Sequence, residues 1–483
     1  MKHLIFSLPV LIMSIFYSCK PQEAADLVIL NGKVLTIDTD NPLAEAIAVV
    51  DDKITDVGTN SRIRKLIDPE KTQIIDASGR LVIPGFNDAH VHFGPLDPDF
   101  IELRYTTDPS TITAKVKAQV AKSIPGELIR GGHWEHEMFI TREWPTKELI
   151  DKVSPDNPVV LARADGHSRL VNSYVLKKSG ITKNTPDPFG GEIQRDPVTG
   201  EPTGILKETA MDLINTGDVK TQRSPEDEAE KTWQGYLLAM KEARELGVTS
   251  VQNAGSEDFE AYEKLQKEGE LTCRIDIGKP LTGDTDILNK YKELSGKYPD
   301  SGDWIRFGYL KAFIDGSMGS GTALMFEPYN DEPSTSGLAM WNYDEFENMV
   351  LTADKMGFQI GVHAIGDKGN NWILNAFEKA QQVNGKRDSR HRDEHTQTLQ
   401  SSDIPRFAKL GVIPSMQPTH CISDKKFYEK RIGTERSKGA YAWRSLVDAG
   451  SVLAFGTDYQ VEPLNPIEGL YAAVTRKERR GED

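Results

Sequence analysis

The sequence predicts an α/β fold: a (β/α)8 TIM-like barrel with an inserted subdomain and a small β-sandwich from the N-terminal segment. Strand-like apolar runs lead to polar side chains at Lys311, His363, His395 and Asp458, at intervals of 52, 32 and 63 residues. A barrel βα unit takes roughly 30 residues. The first interval therefore corresponds to about two units or one enlarged unit, the second to one unit, and the third to two units. Near the N-terminus apolar and polar residues instead alternate, which is typical of half-buried strands.

The first 19 residues are predicted to be an export signal. A short basic start precedes an apolar stretch, residues 4–16, that is too short to span a bilayer comfortably. A small residue directly before Cys19 is typical of a bacterial lipoprotein processing site. We therefore expect lipidation of Cys19, a tether over residues 20–25, membrane contact only through the lipid, and a periplasmic or outer-membrane location. Secretion after simple cleavage is the alternative.

Residues 26–80 are predicted to form the sandwich. The segments DLVILNGKVLTID and EAIAVVDDKITDVG alternate apolar and polar residues and are interrupted by Asn31-Gly32 and Asp51-Asp52. Such pairs favour two-residue hairpin turns, so we expect a hairpin at each position.

Residues 81–483 are assigned to the barrel with its insertion. Between His92 and Lys311 lie 219 residues, far more than the roughly 90 that three βα units require. We place the inserted subdomain at about residues 95–230. A helix-like stretch from Glu228 to Leu246 then leads into GVTSVQNAG, a predicted barrel strand.

The first candidate metal ligands are His90 and His92. In an extended strand, side chains two residues apart project to the same side, so this pair can bind one cation. Histidine nitrogens and carboxylates suit Zn²⁺ and similar ions, and a bound cation with an open position lowers the pKa of its water to roughly 7. The ordered set of polar strand ends thus indicates metal-assisted hydrolysis.

The chain resembles the amidohydrolase superfamily, amidohydrolase 3 type, in the branch that includes N-substituted formamide deformylases. The resemblance covers most of residues 26–476 and rests on PGFNDAHVHF, LARADGHSRLVNS, PTGILKETAMDLI, LKAFIDGSMGSGTA, HAIGDKGN, EHTQ, SMQPTHCISD, GAYAWRSL and FGTDYQVEPLNP. In that superfamily the barrel carries His-x-His on strand 1, often a carboxylated lysine on strand 4, histidines on strands 5 and 6, and an aspartate on strand 8.

This resemblance implies a ligand set for one or two divalent cations, expected to be zinc: His90, His92, Lys311, His363, His395 and Asp458. Lys311 carboxylated by CO₂ would bridge two cations. The alternatives are a lysine salt-bridged to Asp315 and a mononuclear site held by His90, His92 and Asp458. Asp458 would also be the catalytic general base. Glu394 is expected to point away from the site by strand alternation.

Other polar residues are candidates for substrate binding: His133, Trp134, Arg163, Asp165, His167, Asp315, Gln417 and His420. Arg163, Asp165 and His167 share one strand face if the strand extends that far; an ordinary salt-bridge network is the alternative. Asp315, Gln417 and His420 follow predicted strand ends, where barrel active sites are built.

Composition narrows the function classes. The net charge is −15 and the pI is near 5.3, and no sizeable basic cluster occurs, so a nucleic-acid partner is not expected. Three cysteines do not make a disulfide framework. The expected partner is a small amide-like molecule, and a homodimer is compatible with the sequence.

The predicted function is metal-dependent hydrolysis of a non-peptide C–N bond in an amide or N-substituted formamide. One alternative is a lipoprotein that only binds small molecules on a barrel scaffold. Because the chain ends 25 residues after Asp458, we expect the strands that complete the sandwich in the superfamily to be absent. An inactive truncated fragment is therefore a further alternative.

Overall fold

The computed structural model describes residues 24–217, 220, 223–255 and 259–477. The chain divides into two compact units, Met1–Gly85 and Phe86–Asp483. The export signal and Cys19 lie outside the described residues, so they stay predictions. Among the helices that the structure describes, none has both the length and the apolar character needed to cross a membrane.

The first unit contains two small sheets. Its elements are β1 Leu27–Leu30, β2 Lys33–Leu35, β3 Leu43–Ala44, β4 Ala46–Val50, β5 Lys53–Gly58, α1 Asn60–Ile63, β6 Gln73–Asp76 and β7 Leu81–Val82. One sheet has the order β5-β4-β1-β6 and the other β3-β2-β7. Val28, Leu30 and Ala48 form part of the core between α1 and the larger sheet.

One of the two hairpin predictions is confirmed and the other is wrong. Strands β4 and β5 pair antiparallel around Asp51-Asp52. At Asn31-Gly32, however, β1 and β2 belong to different sheets. Asn31 has a φ of 56°, and the next two N–H groups donate to the carbonyls of Glu45 and Arg80 instead of closing a hairpin. Asn31-Gly32 therefore forms a turn that connects strands of two different sheets.

The second unit starts with β8, Phe86–Val91, and continues into a mixed six-stranded sheet with order β13-β14-β12-β11-β10-β9. The elements of this segment are β9 Ile101–Glu102, α2 Ser110–Val120, β10 Ile129–Trp134, α3 Glu148–Asp151, β11 Val159–Arg163, β12 Ser168–Val171, α4 Ser173–Lys178, β13 Gly191–Arg195 and β14 Pro202–Glu208. We call this segment, Ile101–Glu208, the insertion sheet. It has its own core, which includes Leu103, Ile129 and Leu161.

After the insertion sheet, helices and strands alternate. They are α5 Pro225–Glu245, β15 Val248–Asn253, α6 Phe259–Glu268, β16 Arg274–Pro280, α7 Thr285–Lys297, β17 Ile305–Phe313, α8 Tyr343–Lys355, β18 Ile360–His363, α9 Asp367–Asn384, β19 Arg392–Glu394, α10 Ile404–Leu410, β20 Ile413–Met416, α11 Pro418–Ser437, α12 Trp443–Asp448, β21 Ala454–Phe455 and α13 Pro466–Thr475. The predicted helix before GVTSVQNAG corresponds to α5, and the predicted strand is β15.

Helix α5 shows how the sequence fixes these elements. Ser224 and Asp227 form a reciprocal capping box, and Pro225 occupies the first turn, where its missing N–H costs nothing. Tyr236 and Met240 lie four residues apart on the same face and are buried in the barrel core. The capping residues thus predict where α5 begins, and its apolar residues predict which face packs on the barrel. The helix connects the insertion sheet to the barrel.

The predicted TIM-like barrel is confirmed. Eight parallel strands follow the order β8-β15-β16-β17-β18-β19-β20-β21. A parallel bridge joins Val91, at the end of β8, to Tyr459, in the segment that follows β21, and brings the two ends of the sheet together. All eight strands run in one direction, so their carboxyl ends gather at one mouth, where barrel active sites are built.

Candidate metal centre

Two histidines of the first barrel strand and an aspartate after the last one meet at the barrel mouth. His90 is fully buried in β8, and His92 lies two residues further along the chain, so both side chains project to the same side. Asp458 follows β21 with a φ of 59°, and its N–H donates to the carbonyl of His90 at 2.8 Å. The backbone contact that helps close the barrel thus also fixes Asp458 beside the histidine pair.

The spacing of these three side chains fits a cation. Oδ1 of Asp458 lies 3.4 Å from Nε2 of His90 and 3.3 Å from Nε2 of His92. Two ligand atoms that each lie about 2.0–2.1 Å from a tetrahedral Zn²⁺ are about 3.4 Å apart. His90 Nε2 and Asp458 Oδ1 are buried and form no hydrogen bond within the described residues. Buried polar atoms of this kind require a partner, and a divalent cation held by these residues would supply it.

The charge of Asp458 is set by its neighbours. Burial by itself raises the pKa of this carboxyl, but the adjacent imidazoles of His92 and His90 outweigh burial and hold the pKa well below its usual range. Asp458 is therefore ionised at neutral pH, the form that binds a cation or accepts a proton.

Lys311 lies on β17, the fourth barrel strand, and is buried. Its Nζ forms no hydrogen bond with the described residues and lies 3.9 Å from the centroid of the Phe313 ring. The alternative salt bridge to Asp315 does not occur between these two described residues. Burial lowers the pKa of Lys311 to about 8, so a larger share of this amine is neutral than is usual for lysine.

His363 and His395 come from the next two strands. His363 ends β18 and His395 directly follows β19; their ring centroids are 4.4 Å apart, and that of His395 is 5.0 Å from that of His90. Burial holds the pKa of both rings well below the usual value for histidine. Both are therefore neutral, which is the protonation state that binds metals.

Glu394 belongs to this site, and the expectation that it points away was wrong. Its Oε2 lies 2.6 Å from Nδ1 of His90, and both side chains are fully buried. Strand β19 ends at Glu394, and His395 takes a φ of 75°, so the alternation of side chains stops there. Since the carboxylate accepts the Nδ1 hydrogen, Nε2 of His90 carries the lone pair that a metal needs.

A cavity with a volume of about 1670 Å³ opens at this cluster. Its wall includes His92, Lys311, His363, His395, His420 and Asp458. Apolar side chains form another part of the wall, among them Phe313, Met340, Trp341 and Phe427. A cluster of ligand-type side chains therefore faces a space large enough for a substrate with an apolar substituent.

Comparison with known proteins identifies the family. Residues 73–483 match the sequence model of a family described as amidohydrolase. This chain belongs to the amidohydrolase family. It is 35% identical over 467 residues to the protein LONG AFTER FAR-RED 3 of Arabidopsis thaliana, with 94% of this chain and 78% of the relative covered. It is 27% identical over 481 residues to an N-substituted formamide deformylase of Arthrobacter pascens, with 95% and 85% covered.

A solved structure of a metal-dependent hydrolase is also similar to this chain. An uncharacterized metal-dependent hydrolase from Pyrococcus horikoshii matches with a TM-score of 0.70 and 26% identity, covering 95% of this chain and 87% of that one. Together with the family match and the candidate ligands, this identifies a hydrolase that uses a divalent metal.

In this amidohydrolase, five of the predicted substrate-binding residues line the cavity: His133, Arg163, Asp165, His167 and His420. The first four come from the insertion sheet and the loops between its strands, so this sheet supplies one wall of the cavity. His133 is held by Glu102, with Nδ1 2.8 Å from Oε2.

Arg163, Asp165 and His167 form an extensively paired polar network. The buried guanidinium of Arg163 pairs with Asp165, which also accepts hydrogen bonds from Ser317 at 2.5 Å and Ser320 at 2.8 Å. Nδ1 of His167 lies 2.8 Å from Oε2 of Glu208. The three residues therefore adjoin the cavity and at the same time join the insertion sheet to the loop after β17.

The other three predicted substrate-binding residues, Trp134, Asp315 and Gln417, are not among the described residues that line this cavity. Trp134 directly follows His133 on β10, and its indole is fully buried in the core of the insertion sheet. Asp315 is buried, and its carboxylate accepts the N–H groups of Leu324, Ile365 and Gly366.

Gln417 lies at the end of β20 with 2% of its surface exposed, and its amide donates to the Ser415 carbonyl at 3.2 Å. Asp315 and Gln417 were predicted because they follow strand ends, and Trp134 because its segment was expected to line the cavity mouth. In the structure Asp315 and Gln417 form hydrogen bonds with backbone groups, and Trp134 packs in a core.

His420 lies nearer to the ligand cluster than its sequence position indicates. It belongs to the first turn of α11, and its Nε2 is 3.6 Å from Oδ2 of Asp458. His395, His420 and Asp458 form a second group whose ligand-type atoms lie within 4.8 Å of one another. The sequence signal was present in PTHC after the seventh strand, but only the fold shows that this helix begins beside Asp458.

Proposed function

We propose that this amidohydrolase cleaves a non-peptide C–N bond, in an amide or N-substituted formamide, at the barrel mouth. The observation that carries the proposal is the convergence of His90, His92 and Asp458 with the spacing of ligands around one cation. The similarity to an N-substituted formamide deformylase, together with the large and partly apolar cavity, supports this substrate class.

The residues divide the chemistry between them. A bound divalent cation, which we propose to be zinc, supplies Lewis acidity and lowers the pKa of a coordinated water. Asp458 is ionised and lies at the edge of the cavity, so it can accept the proton of the attacking water and transfer it to the leaving nitrogen. Glu394 keeps His90 oriented by accepting its Nδ1 hydrogen.

Lys311 is proposed to be the bridging ligand after carboxylation. Its neutral amine would attack CO₂, forming an N–C bond and releasing one proton, and the product is an anionic carbamate. The low pKa of about 8 and the absence of a hydrogen bond to Nζ among the described residues favour this reaction. Mass spectrometry of the intact protein under CO₂ tests it: a CO₂ adduct in the wild type is absent from Lys311→Met.

A hydrolysis assay tests the proposed function. Protein loaded with Zn²⁺, Mn²⁺ or Fe²⁺ is given N-substituted formamides, amides, cyclic imides and esters, and product amine or acid is quantified. We expect turnover of formamides or amides, and Asp458→Asn should lower kcat/KM by about 10²–10⁴-fold, the usual contribution of a general acid–base group. Ligand binding without turnover by the metal-loaded wild type contradicts the proposal and supports a protein that only binds small molecules.

A further inference from the structure

One arginine of the cavity wall has no carboxylate partner. Arg169 lies on β12 of the insertion sheet, where it pairs in register with Ala162 of β11, and both residues line the cavity. Its Nη1 donates to the backbone carbonyls of Gly166 and Ser168 at 2.9 and 3.2 Å. Within the described residues, the guanidinium forms no other hydrogen bond and no ion pair. Its Nε and Nη2 donors can therefore bind a ligand in the cavity.

The two carboxylates whose charge acts on Arg169 are already paired with other cations. Asp165 pairs with Arg163, and Oε2 of Glu208 lies 2.8 Å from Nδ1 of His167. Burial by itself lowers the pKa of His167, but Glu208 raises it to about 9, so this ring is charged at neutral pH. Burial lowers the pKa of Arg169, and Asp165 and Glu208 offset this only in part. The positive charge of Arg169 is thus not fully compensated.

Two further carboxylates of the cavity wall do not change this balance. Glu135 lies 3.4 Å from Nη2 of Arg163, but it also pairs with Lys426, so these two residues add no net charge. Asp212 is exposed to solvent, where water and salt screen its charge, and it forms no ion pair with Arg169. An anion from outside the chain would complete the pairing of Arg169.

The position of Arg169 sets the distance between this anion and the barrel mouth. Arg169 comes two residues after His167, which corresponds to about 6.6 Å along an extended strand. The His167 ring centroid lies 5.0 Å from that of the candidate metal ligand His363. Phe313 packs beside both imidazoles, with centroid distances of 6.4 and 5.1 Å. A ligand that extends from the metal centre to Arg169 therefore needs a chain of several atoms, and an apolar chain suits the aromatic ring on its way.

We propose that Arg169 binds a terminal carboxylate of the substrate, so that the preferred substrates are formamides or amides whose apolar N-substituent ends in a carboxylate. The inference rests on the proposed cleavage of a C–N bond and narrows its substrate class. The formyl group of a formamide carries no chain, so only the N-substituent can reach Arg169. A guanidinium can donate two parallel hydrogen bonds to a carboxylate, and Phe313, which is 39% exposed, offers an apolar surface to the methylene groups.

Two hydrolysis-resistant probes test the proposal in the zinc-loaded full chain. They are the methanesulfonamides of ω-aminohexanoate and of hexylamine, which differ only in a terminal carboxylate against a methyl group. Isothermal titration calorimetry measures Kd for each probe. We expect the wild type to bind the acid about 10–100-fold more tightly than the neutral probe, the range for a hydrogen bond to a charged group. Arg169→Gln should remove this preference and leave Kd for the neutral probe unchanged.

Two further variants serve as controls. Arg195→Gln removes an arginine from β13 of the same sheet, one that is paired with Asp187 and is not among the described residues of the cavity wall. It should keep the full preference for the acid. Arg169→Lys keeps the positive charge without the planar fork of donors, so it should restore part of the preference that Arg169→Gln loses.

The outcomes separate this inference from the proposed function. Equal binding of the two probes by the wild type, or an unchanged preference in Arg169→Gln, overturns the inference even if formamides are hydrolysed. Equal weakening of both probes in Arg169→Gln also overturns it, because Arg169 would then only support the cavity wall. Selective loss of affinity for the acid supports the inference even if no formamide or amide is turned over, a result that would count only against the proposed reaction.

Discussion

Two polar clusters border the same cavity and differ in how far their atoms are paired. In the barrel cluster, five buried atoms form no hydrogen bond with the described residues: His90 Nε2, Lys311 Nζ, His395 Nδ1, His420 Nε2 and Asp458 Oδ1. In the network of the insertion sheet, Arg163 Nε forms none either, but Asp165 has partners in Arg163, Ser317 and Ser320, and His167 is paired with Glu208.

This difference in pairing indicates that the barrel cluster binds a ligand and that the insertion network supports the fold. A buried polar atom without a partner costs about 1–3 kcal/mol, so a cluster of them persists where something from outside completes it. A network whose charges are paired internally needs no such completion, and it holds two segments of the chain together. We therefore expect metal-dependent behaviour from the barrel cluster and metal-independent stability from the insertion network.

The largest expected effect on stability comes from breaking the insertion network. Arg163 is 1% exposed, and Arg163→Met leaves Asp165 without its countercharge, which should lower the free energy of unfolding by about 3–5 kcal/mol. Urea denaturation of the metal-loaded protein measures this. Arg195→Met, which removes a more exposed pair with Asp187 on the same sheet, should cost less than about 1 kcal/mol. Equal losses in both variants would contradict the assignment of Arg163 to a scaffold.

The next effect concerns the metal. At a free Zn²⁺ concentration of about 100 times Kd, binding to the native state alone stabilises the protein by about 2.7 kcal/mol. Thermal melting with and without chelator should therefore show a lower midpoint for the stripped protein, and readdition of metal should restore it. The same metal-dependent shift is expected in Arg163→Met. An unchanged melting midpoint in the wild type would contradict the difference between the two clusters, since the unpaired atoms of the barrel cluster would then need no cation.

Much of the fold was predictable because it depends on local patterns. Apolar runs and their spacing indicated the barrel, and Lys311, His363, His395 and Asp458 lie in order on or directly after the fourth, fifth, sixth and eighth barrel strands. The Asn31-Gly32 pair shows the limit of local patterns. It predicts a turn correctly, but only tertiary pairing decides whether the two strands belong to one sheet.

The candidate site was predictable only in part. His90 and His92 follow from strand geometry, and the other ligand positions follow from resemblance. The proximity of Glu394 to His90 depends on the positive φ of His395, which no residue type in EHTQ requires. The place of His420 depends on where α11 starts relative to the last strand. Trp134 was expected at the cavity mouth beside His133, but the sequence does not tell that its indole packs into the core of the insertion sheet.

A smaller effect is expected on the metal affinity of the barrel cluster when Glu394 is replaced. Glu394→Gln keeps the size of the side chain but weakens its hold on the Nδ1 hydrogen of His90, so metal affinity should fall about 10–100-fold, as for other partners of a ligating histidine. Zn²⁺ titration of stripped protein measures the change. Glu378→Gln, on the outer helix α9 with Arg406 and Lys409 as partners, should leave Kd unchanged. If Glu394→Gln also leaves Kd unchanged, the carboxylate does not position His90.

The smallest expected effect is a pH dependence that belongs to the insertion network. Burial by itself lowers the pKa of His167, but Glu208 outweighs it and raises the pKa to about 9. The usual value in an unfolded chain is about 6.5. Because the folded-state pKa is the higher one, the stabilisation is complete below about pH 6.5 and is lost as the pH rises through about 9. His167 also borders the cavity, so solvent reduces the effect to about 1 kcal/mol.

His167→Gln isolates this contribution. The difference in unfolding free energy between wild type and variant, measured by urea denaturation at pH 6 to 10 in saturating metal, should shrink as the pH rises. Lys207→Gln, which removes an ion pair with Glu192 on the same sheet, provides the matched control without a histidine. A pH-independent difference for His167→Gln would mean that the imidazole is neutral in the folded protein. The insertion network would then lack one of its charges, and the contrast with the barrel cluster would be smaller than the hydrogen bonds indicate.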